Sequence, residues 1–275
     1  MGSASYTLNN TPPDFVAIAI DNIPLEVTLP FPLFVLVAGK HVKFREISDT
    51  LSTGRVKTLG AKTDAVFIPR DAWTDFLKYM ESFCDVEAKD PDVAAKNVRT
   101  LLMIYTQHLE QETLFHRSTV SRLRVLAYKL AGLIYEYPKV SQKLLQKYKD
   151  HSVYFCAHNV NVAVYSVAMG KKLGLPLEDL KLLAFACLVH NVGNLLVPRE
   201  VLYKDGELSD HELKVVRAHS ITGSQLLEYM DCPTEVVLTA KQHHERVDGA
   251  GYPSGLWGAE IHLFAKICAM SDVYD

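Results

Sequence analysis

QHHERVDGAGYPSG, residues 242–255, places two adjacent histidines ahead of a glutamate, an Asp-Gly pair and the triplet Gly251-Tyr252-Pro253. The apolar pattern running up to His243 and His244 predicts a helix that ends by delivering two imidazoles. Gly249, Gly251 and Pro253 then fall within five residues, so the helix cannot continue and a loop must follow. That loop has to stay close to whatever the histidines bind. On a helix, adjacent side chains diverge by about 100°. The pair is therefore expected to serve two metals, or two sides of one cluster, rather than to chelate one ion together.

Working back from this stretch, the chain from His151 onward reads as helix after helix. Ser152–Leu173 carries Val153, Ala157, Val160, Val164, Val167 and Ala168 at helical spacing, with Gly174 as its stop. Pro176 opens a second helix, through Leu180, Leu183, Ala184 and Leu188 to His190. Asp210–Ala218, Thr222–Met230, Pro233–His244 and Ile261 to Asp275 follow, and no strand pattern intervenes. The expectation is an all-α bundle. Along it lie His158, His190-Asn191, His219, His243-His244 and Asp272. Helix-borne histidines with a carboxylate, projecting into a bundle, are a recurring way to build a dinuclear metal site.

Upstream, 91–150 predicts long helices that link domains or mediate dimer contacts. Val93, Val98, Leu101, Leu102, Ile104, Tyr105 and Leu109 are its first core candidates, and a second run, Val120–Tyr137, stops at Pro138. His108 and His116 follow no ligand pattern, and the lysine-bearing stretch 139–150 reads as a solvated helix face. Residues 1–90 read as a small α+β domain of regulatory or sensory character. Phe15–Ile20, a hairpin over 33–47 and Ala65–Ile68 supply strands; Asp49–Leu59 and a helix N-capped by Asp71 supply helices. Residues 1–13 are expected to be extended. Packing accounts for every residue in this part, which identifies no ligand.

Composition narrows the partners. With 48% hydrophobic and 22% charged residues the chain is ordinary for a globular protein, and a net charge of −3 offers no footprint for a nucleic acid polymer. The apolar run Phe31–Ala38 is far shorter than the roughly 20 residues of a membrane span, so no membrane is expected. No secretory leader opens the chain, and Tyr6 breaks a myristoylation pattern. Five unpaired cysteines (84, 156, 187, 232 and 268) suit a reducing, cytoplasmic compartment.

Together, His158 with Asn161-Val162, LVHNVGNLLVP (188–198), LYKDGELSDHELKVVRAHSITGSQLL (202–227) and QHHERVDGAGYPSGLWGAEIHLFAKICAMSDVYD (242–275) resemble the HD-GYP family, bacterial cyclic-di-GMP phosphodiesterases within the HD-domain phosphohydrolases. The resemblance covers a little under half of the chain. It implies a metal-dependent phosphohydrolase domain over 151–275, with His158, His190, Asn191, His219, His243, His244 and Asp272 holding two divalent ions. Iron or manganese suits such ligands, and so does zinc. A hydroxide held between the metals would attack cyclic-di-GMP, giving linear pGpG or GMP. Tyr252, flanked by Gly251 and Pro253, would lie near the dinucleotide. A degenerate member would instead act as a cyclic-di-GMP sensor or dock signalling proteins such as diguanylate cyclases through this loop.

Four positions depart from the family pattern. Asn191 stands where an aspartate would bridge metals, and a neutral amide has one carbonyl oxygen to offer. Asn194 replaces a lysine that would face substrate phosphate. Tyr154 occupies the position of a glutamate found in three-metal members, which favours two metals, and Val247 replaces a tryptophan. Relatives continue past the DVYD motif, so the C-terminal end is expected to be truncated.

Overall fold

The structure, a computed structural model, describes residues 14–20, 28–46, 52–61, 63, 65–85, 90–111, 116–145 and 151–275. The expectation for 1–13, the start of the helix predicted from Asp49, and the side chains of Cys84, His108, Val153 and Tyr154 lie outside the described residues. The chain divides into two compact units, Met1–Lys89 and Asp90–Asp275.

The first unit contains β1 (Phe15–Ala19), β2 (Leu33–Val37), β3 (Lys40–Arg45), α1 (Thr53–Gly60), β4 (Ala65–Pro69) and α2 (Trp73–Asp85). The strands form one antiparallel sheet in the order β1-β4-β2-β3. Ala38 and Gly39 both take positive φ, which lets the chain reverse between β2 and β3 in a turn that matches strand twist. Trp73, Phe76, Leu77 and Met80 form the buried stripe of α2, and Phe76 packs edge-on against Phe31 at 5.2 Å. Asp71 does not cap this helix: it lies within a 3-10 turn, Arg70–Ala72, that comes first. The strand before it ends at Pro69, and the chain tightens before the α-helix can begin.

The second unit is helical: α3 (Pro91–Gln111), α4 (Arg117–Glu136), α5 (Val140–Leu144), α6 (His151–Lys172), α7 (Leu177–Val189), α8 (Arg199–Leu202), α9 (Asp210–Arg217), α10 (His219–Tyr229), α11 (Thr234–Gln242) and α12 (Leu263–Tyr274). Residues 177–196 are apolar and long enough to cross a bilayer by composition alone. Here they supply the centre of the bundle, because α7 packs against α4, α6 and α11 and buries every side chain from Leu183 to Val189. A helix that is apolar all round must be enclosed. Each of its buried leucines contributes about 2 kcal/mol by removal from water.

The segment read from sequence as a linker packs into this same unit. α4 lies against α7 and α6, and α3 against α4 and α6. Leu101, Leu102, Leu126, Ala127 and Leu130 are all buried, whereas Val93, expected in the core, is half exposed. The 139–150 stretch is likewise not a purely solvated face, since Val140 and Leu144 are buried. Gly174 ends the run after α6 with φ +81°. Ser209 caps α9 reciprocally with Glu212. α10 begins at His219, a turn earlier than expected, which places that histidine at a helix start. Cys156, Cys187, Cys232 and Cys268 are free thiols.

Candidate metal centre

Three of the histidines lie just past a helix end. His190 follows α7 and His243 follows α11 directly, and His219 stands two residues after Arg217, the last residue of α9. The last carbonyls of a helix lack intrahelical donors. In each case the imidazole turns back to supply one. Nδ1 of His190 lies 2.6 Å from the Cys187 carbonyl oxygen, that of His219 2.7 Å from Val216, and that of His243 2.8 Å from Ala240. A carbonyl only accepts, so Nδ1 carries the hydrogen, and wherever such a ring is neutral its Nε2 presents a lone pair.

His158, on α6, is oriented by carboxylates instead of a carbonyl. Its Nδ1 donates to Asp275 Oδ2 at 3.0 Å, and its Nε2 lies 2.8 Å from Asp272 Oδ1. Asn161, one helical turn along α6, donates to the other Asp275 oxygen at 2.8 Å. A carboxylate behind a ligating histidine fixes its ring orientation. Asp272 Oδ1 also lies 3.3 Å from His190 Nε2.

Two ligand groups result. His158, His190 and Asp272 form one; His219, His243 and His244 form the other; within each, the ligand atoms lie within 4.8 Å of one another. The groups abut, with the rings of His190 and His243 4.9 Å apart. His243 and His244 therefore share a group instead of dividing between two. The pair thus meets the expectation of two sides of one cluster and not that of two separate ions, with the two rings 4.1 Å apart just past the end of α11.

The donor set fits metal ions. Nε2 of His219 and Nε2 of His243 face each other at 3.2 Å, while both Nδ1 atoms are committed as donors. Two lone pairs converge, an arrangement that a shared cation relieves. Burial, then the neighbouring imidazoles and Arg217, hold His244 down to about 4, and burial with the surrounding histidines holds His243 well below the usual imidazole range. Burial also lowers His219. These rings are neutral at pH 7, as metal ligation requires. His158 differs: burial alone would lower it, but hydrogen bonds to Asp272 and Asp275 outweigh burial and raise it to about 9. Asp272 would be raised by burial, yet its bonds to His158 and His190 hold it far below the carboxylate range.

Asn191 is buried next to His190 and heads the 3-10 helix Val192–Leu196 without a capping hydrogen bond from its side chain. Asn194, within that helix, has its Oδ1 buried without a hydrogen-bond partner. The backbone brings this helix against α10. A Cβ on Gly193 would fall 1.9 Å from the His219 carbonyl oxygen, so only glycine permits the contact that sets the His190 turn beside His219.

The loop after the histidines is anchored by Glu245, which the sequence presents without an evident role. Its buried carboxylate accepts from the amides of Ser254 at 2.7 Å and Leu256 at 3.0 Å. Gly251 lies against the backbone of Glu245 and Arg246, where a Cβ would come within 2.3 Å of the Arg246 nitrogen. This folds Tyr252, next to Pro253, back over His244, with the rings stacked at 4.7 Å. Glu245, Asn161 and Asp275 are thus supporting residues that ligand spacing does not reveal. For Asp275 a signal existed: it stands three residues after Asp272, on the same helical face. For Glu245 the signal was an acid preceding a glycine-rich loop whose amides have no helix or strand to satisfy them.

Residues 138–275 match the family described as HD domain. A cyclic di-GMP phosphodiesterase, PA4108, of Pseudomonas aeruginosa is 37% identical over 134 residues, 48% of this chain and 32% of the relative. A 3'3'-cGAMP-specific phosphodiesterase of Vibrio cholerae is 39% identical over 117 residues, 42% of this chain and 27% of the relative. The chain thus spans about a third of the length of these curated relatives. Among solved structures, Bd1817, a HDG"Y"P protein from Bdellovibrio bacteriovorus, superposes with a TM-score of 0.71 at 20% identity, covering 94% of this chain and 86% of that one. At that identity the likeness concerns the fold.

Proposed function

The chain belongs to the HD-domain family, in its HD-GYP branch, and from that premise we propose that it is a metal-dependent phosphodiesterase acting on cyclic-di-GMP. The observation that carries this reading is the convergence of imidazole Nε2 atoms and Asp272 into two abutting ligand groups. His158, His190 and Asp272 would hold one ion and His219, His243 and His244 the other, with Asn191 beside them. Iron or manganese suits the mixed set, and zinc is compatible. Bound there, divalent ions supply Lewis acidity toward a phosphodiester and make water a stronger acid.

The chain's own residues do the rest. Nδ1 hydrogen bonds orient four imidazoles before any ion arrives, which lowers the reorganisation needed on loading. Asp272 contributes the carboxylate charge of the set. Tyr252, held by Gly251, the Glu245 anchor and the adjoining Pro253, keeps its ring stacked on His244 at the edge of the site, where it would lie near a bound dinucleotide. The protein is expected to work in the cytoplasm, where such dinucleotides are signals. The test is hydrolysis of cyclic-di-GMP by protein loaded with iron, manganese or zinc, with product chromatography separating linear pGpG from GMP. 3'3'-cGAMP is the comparison substrate, because that relative from V. cholerae is named for it. Absence of turnover with all three metals would sink the enzymatic claim.

Asn191 favours a second reading. With an amide in place of a bridging carboxylate, the domain would bind cyclic-di-GMP, or a diguanylate cyclase through the Tyr252 loop, without efficient turnover. Calorimetric binding of cyclic-di-GMP without hydrolysis supports this reading. Cyclase capture that is lost in Tyr252→Ala supports its protein-docking form.

A further inference from the structure

Arg217 closes α9 two residues before His219, and its side chain is exposed. Its guanidinium carbon lies 5.2 Å from the centre of the Tyr252 ring, the same ring that stacks on His244 at 4.7 Å. Side chains from α9, the Tyr252 loop and the end of α11 are thereby layered at the edge of the His219, His243 and His244 group. Among the described residues, no carboxylate or carbonyl engages the Arg217 side chain. Arg246, nearby in sequence on the loop, is different: it is bonded to both oxygens of Asp248.

An unneutralised guanidinium beside a set of neutral imidazoles is an electrostatic asymmetry. Divalent ions in that set would repel Arg217, and the loop's carboxylates are committed elsewhere, Glu245 to the amides of Ser254 and Leu256 and Asp248 to Arg246. The segment LVHNVGNLLVP, which carries His190 and Asn191, contributes no cation of its own. A planar, permanently charged fork with free N–H groups, steadied by an aromatic face, matches the oxygens of a phosphoester in both charge and shape.

We propose that Arg217, steadied on Tyr252, is a phosphate-binding residue of this site, gripping the anionic oxygens of a phosphoester at the edge of the His219, His243 and His244 group. This deepens the phosphodiesterase reading and rests on it for the reaction, but binding of a simple anion can be measured without any turnover. The experiment titrates inorganic phosphate calorimetrically into the metal-loaded full chain, its Arg217→Gln and Arg217→Lys variants, and Arg199→Gln as a charge control. Arg199 lies over Tyr203 instead. Elemental analysis accompanies each titration.

The expected result is phosphate affinity reduced about tenfold or more in Arg217→Gln, partly restored in Arg217→Lys and unchanged in Arg199→Gln, at equal metal content. Equal affinity in Arg217→Gln and the parent chain overturns the proposal. So does an equal loss in Arg199→Gln, or absence of phosphate binding by the parent chain. If phosphate binding depends on Arg217 but no cyclic dinucleotide is hydrolysed, the phosphodiesterase reading fails and the proposed grip stands.

Discussion

Glu245→Ala should release the loop that carries Tyr252 while leaving the bundle folded. The Glu245 carboxylate accepts two backbone amides, Ser254 at 2.7 Å and Leu256 at 3.0 Å, and it does so while 6% exposed. Hydrogen bonds to a charged acceptor contribute about 1.5 kcal/mol or more each, so losing both should weaken local closure by about 3 kcal/mol. That corresponds to amide exchange about a hundredfold faster at Ser254 and Leu256, because exchange from local opening follows the opening equilibrium. Hydrogen exchange resolved over 248–260 measures this directly. Amides in α7 serve as the internal control, since their protection depends on the bundle core. Glu245→Gln, which keeps one acceptor oxygen, should fall between the parent and the alanine variant. Unchanged protection at Ser254 and Leu256 in Glu245→Ala would refute the anchoring role. An equal rise in exchange in α7 would show that Glu245 supports the whole unit rather than the loop.

Three further outcomes are expected. Asn191→Asp should raise metal content or hydrolysis, because a carboxylate adds the charge and second oxygen that the amide lacks; no change in either would show that position 191 does not limit the site. Metal uptake should strengthen with pH: in the metal-free protein His158 is raised to about 9, so below that pH an ion must displace a proton, and apparent affinity should climb about tenfold per unit from pH 7 toward 9 and then level off. A flat affinity across that range would contradict the protonated His158–Asp272 pair. Gly193→Ala should lower thermal stability and metal content together, since its Cβ would meet the His219 carbonyl oxygen at 1.9 Å; retention of both would mean that the backbone contact does not position His219.

Much of the molecule was legible before any coordinates. The helical spacing in α2 reports one buried face, and Gly174 marks a chain reversal that needs positive φ, whereas the alternation in β3 misleads, since Val42 is exposed and Arg45 is that strand's buried residue. Boundaries were harder. Asp71 looked like a helix cap because its residue type suits one, but the preceding Pro69 and the strand's exit direction imposed a 3-10 turn first. Residues 91–150 read as a linker because their apolar positions, taken alone, do not say which surface they meet; packing against α6 and α7 decided that.

The sequence by itself determined which residues could ligate. Histidines and one aspartate recur at helix ends along an apolar bundle, and their order with the Gly251-Tyr252-Pro253 loop places the chain near one family. Tertiary structure decided how they combine. His243 and His244 fall into one group because His219, at the start of α10, is brought against both, a contact between segments that helical periodicity along α11 cannot choose. Glu245, Asp275 and Arg217 acquire their places only when distant segments meet. A hydrogen bond to a loop amide, a carboxylate behind a ring and a guanidinium over an aromatic face are relations across space; spacing along the chain hints at Asp275 and Glu245 but does not name their partners.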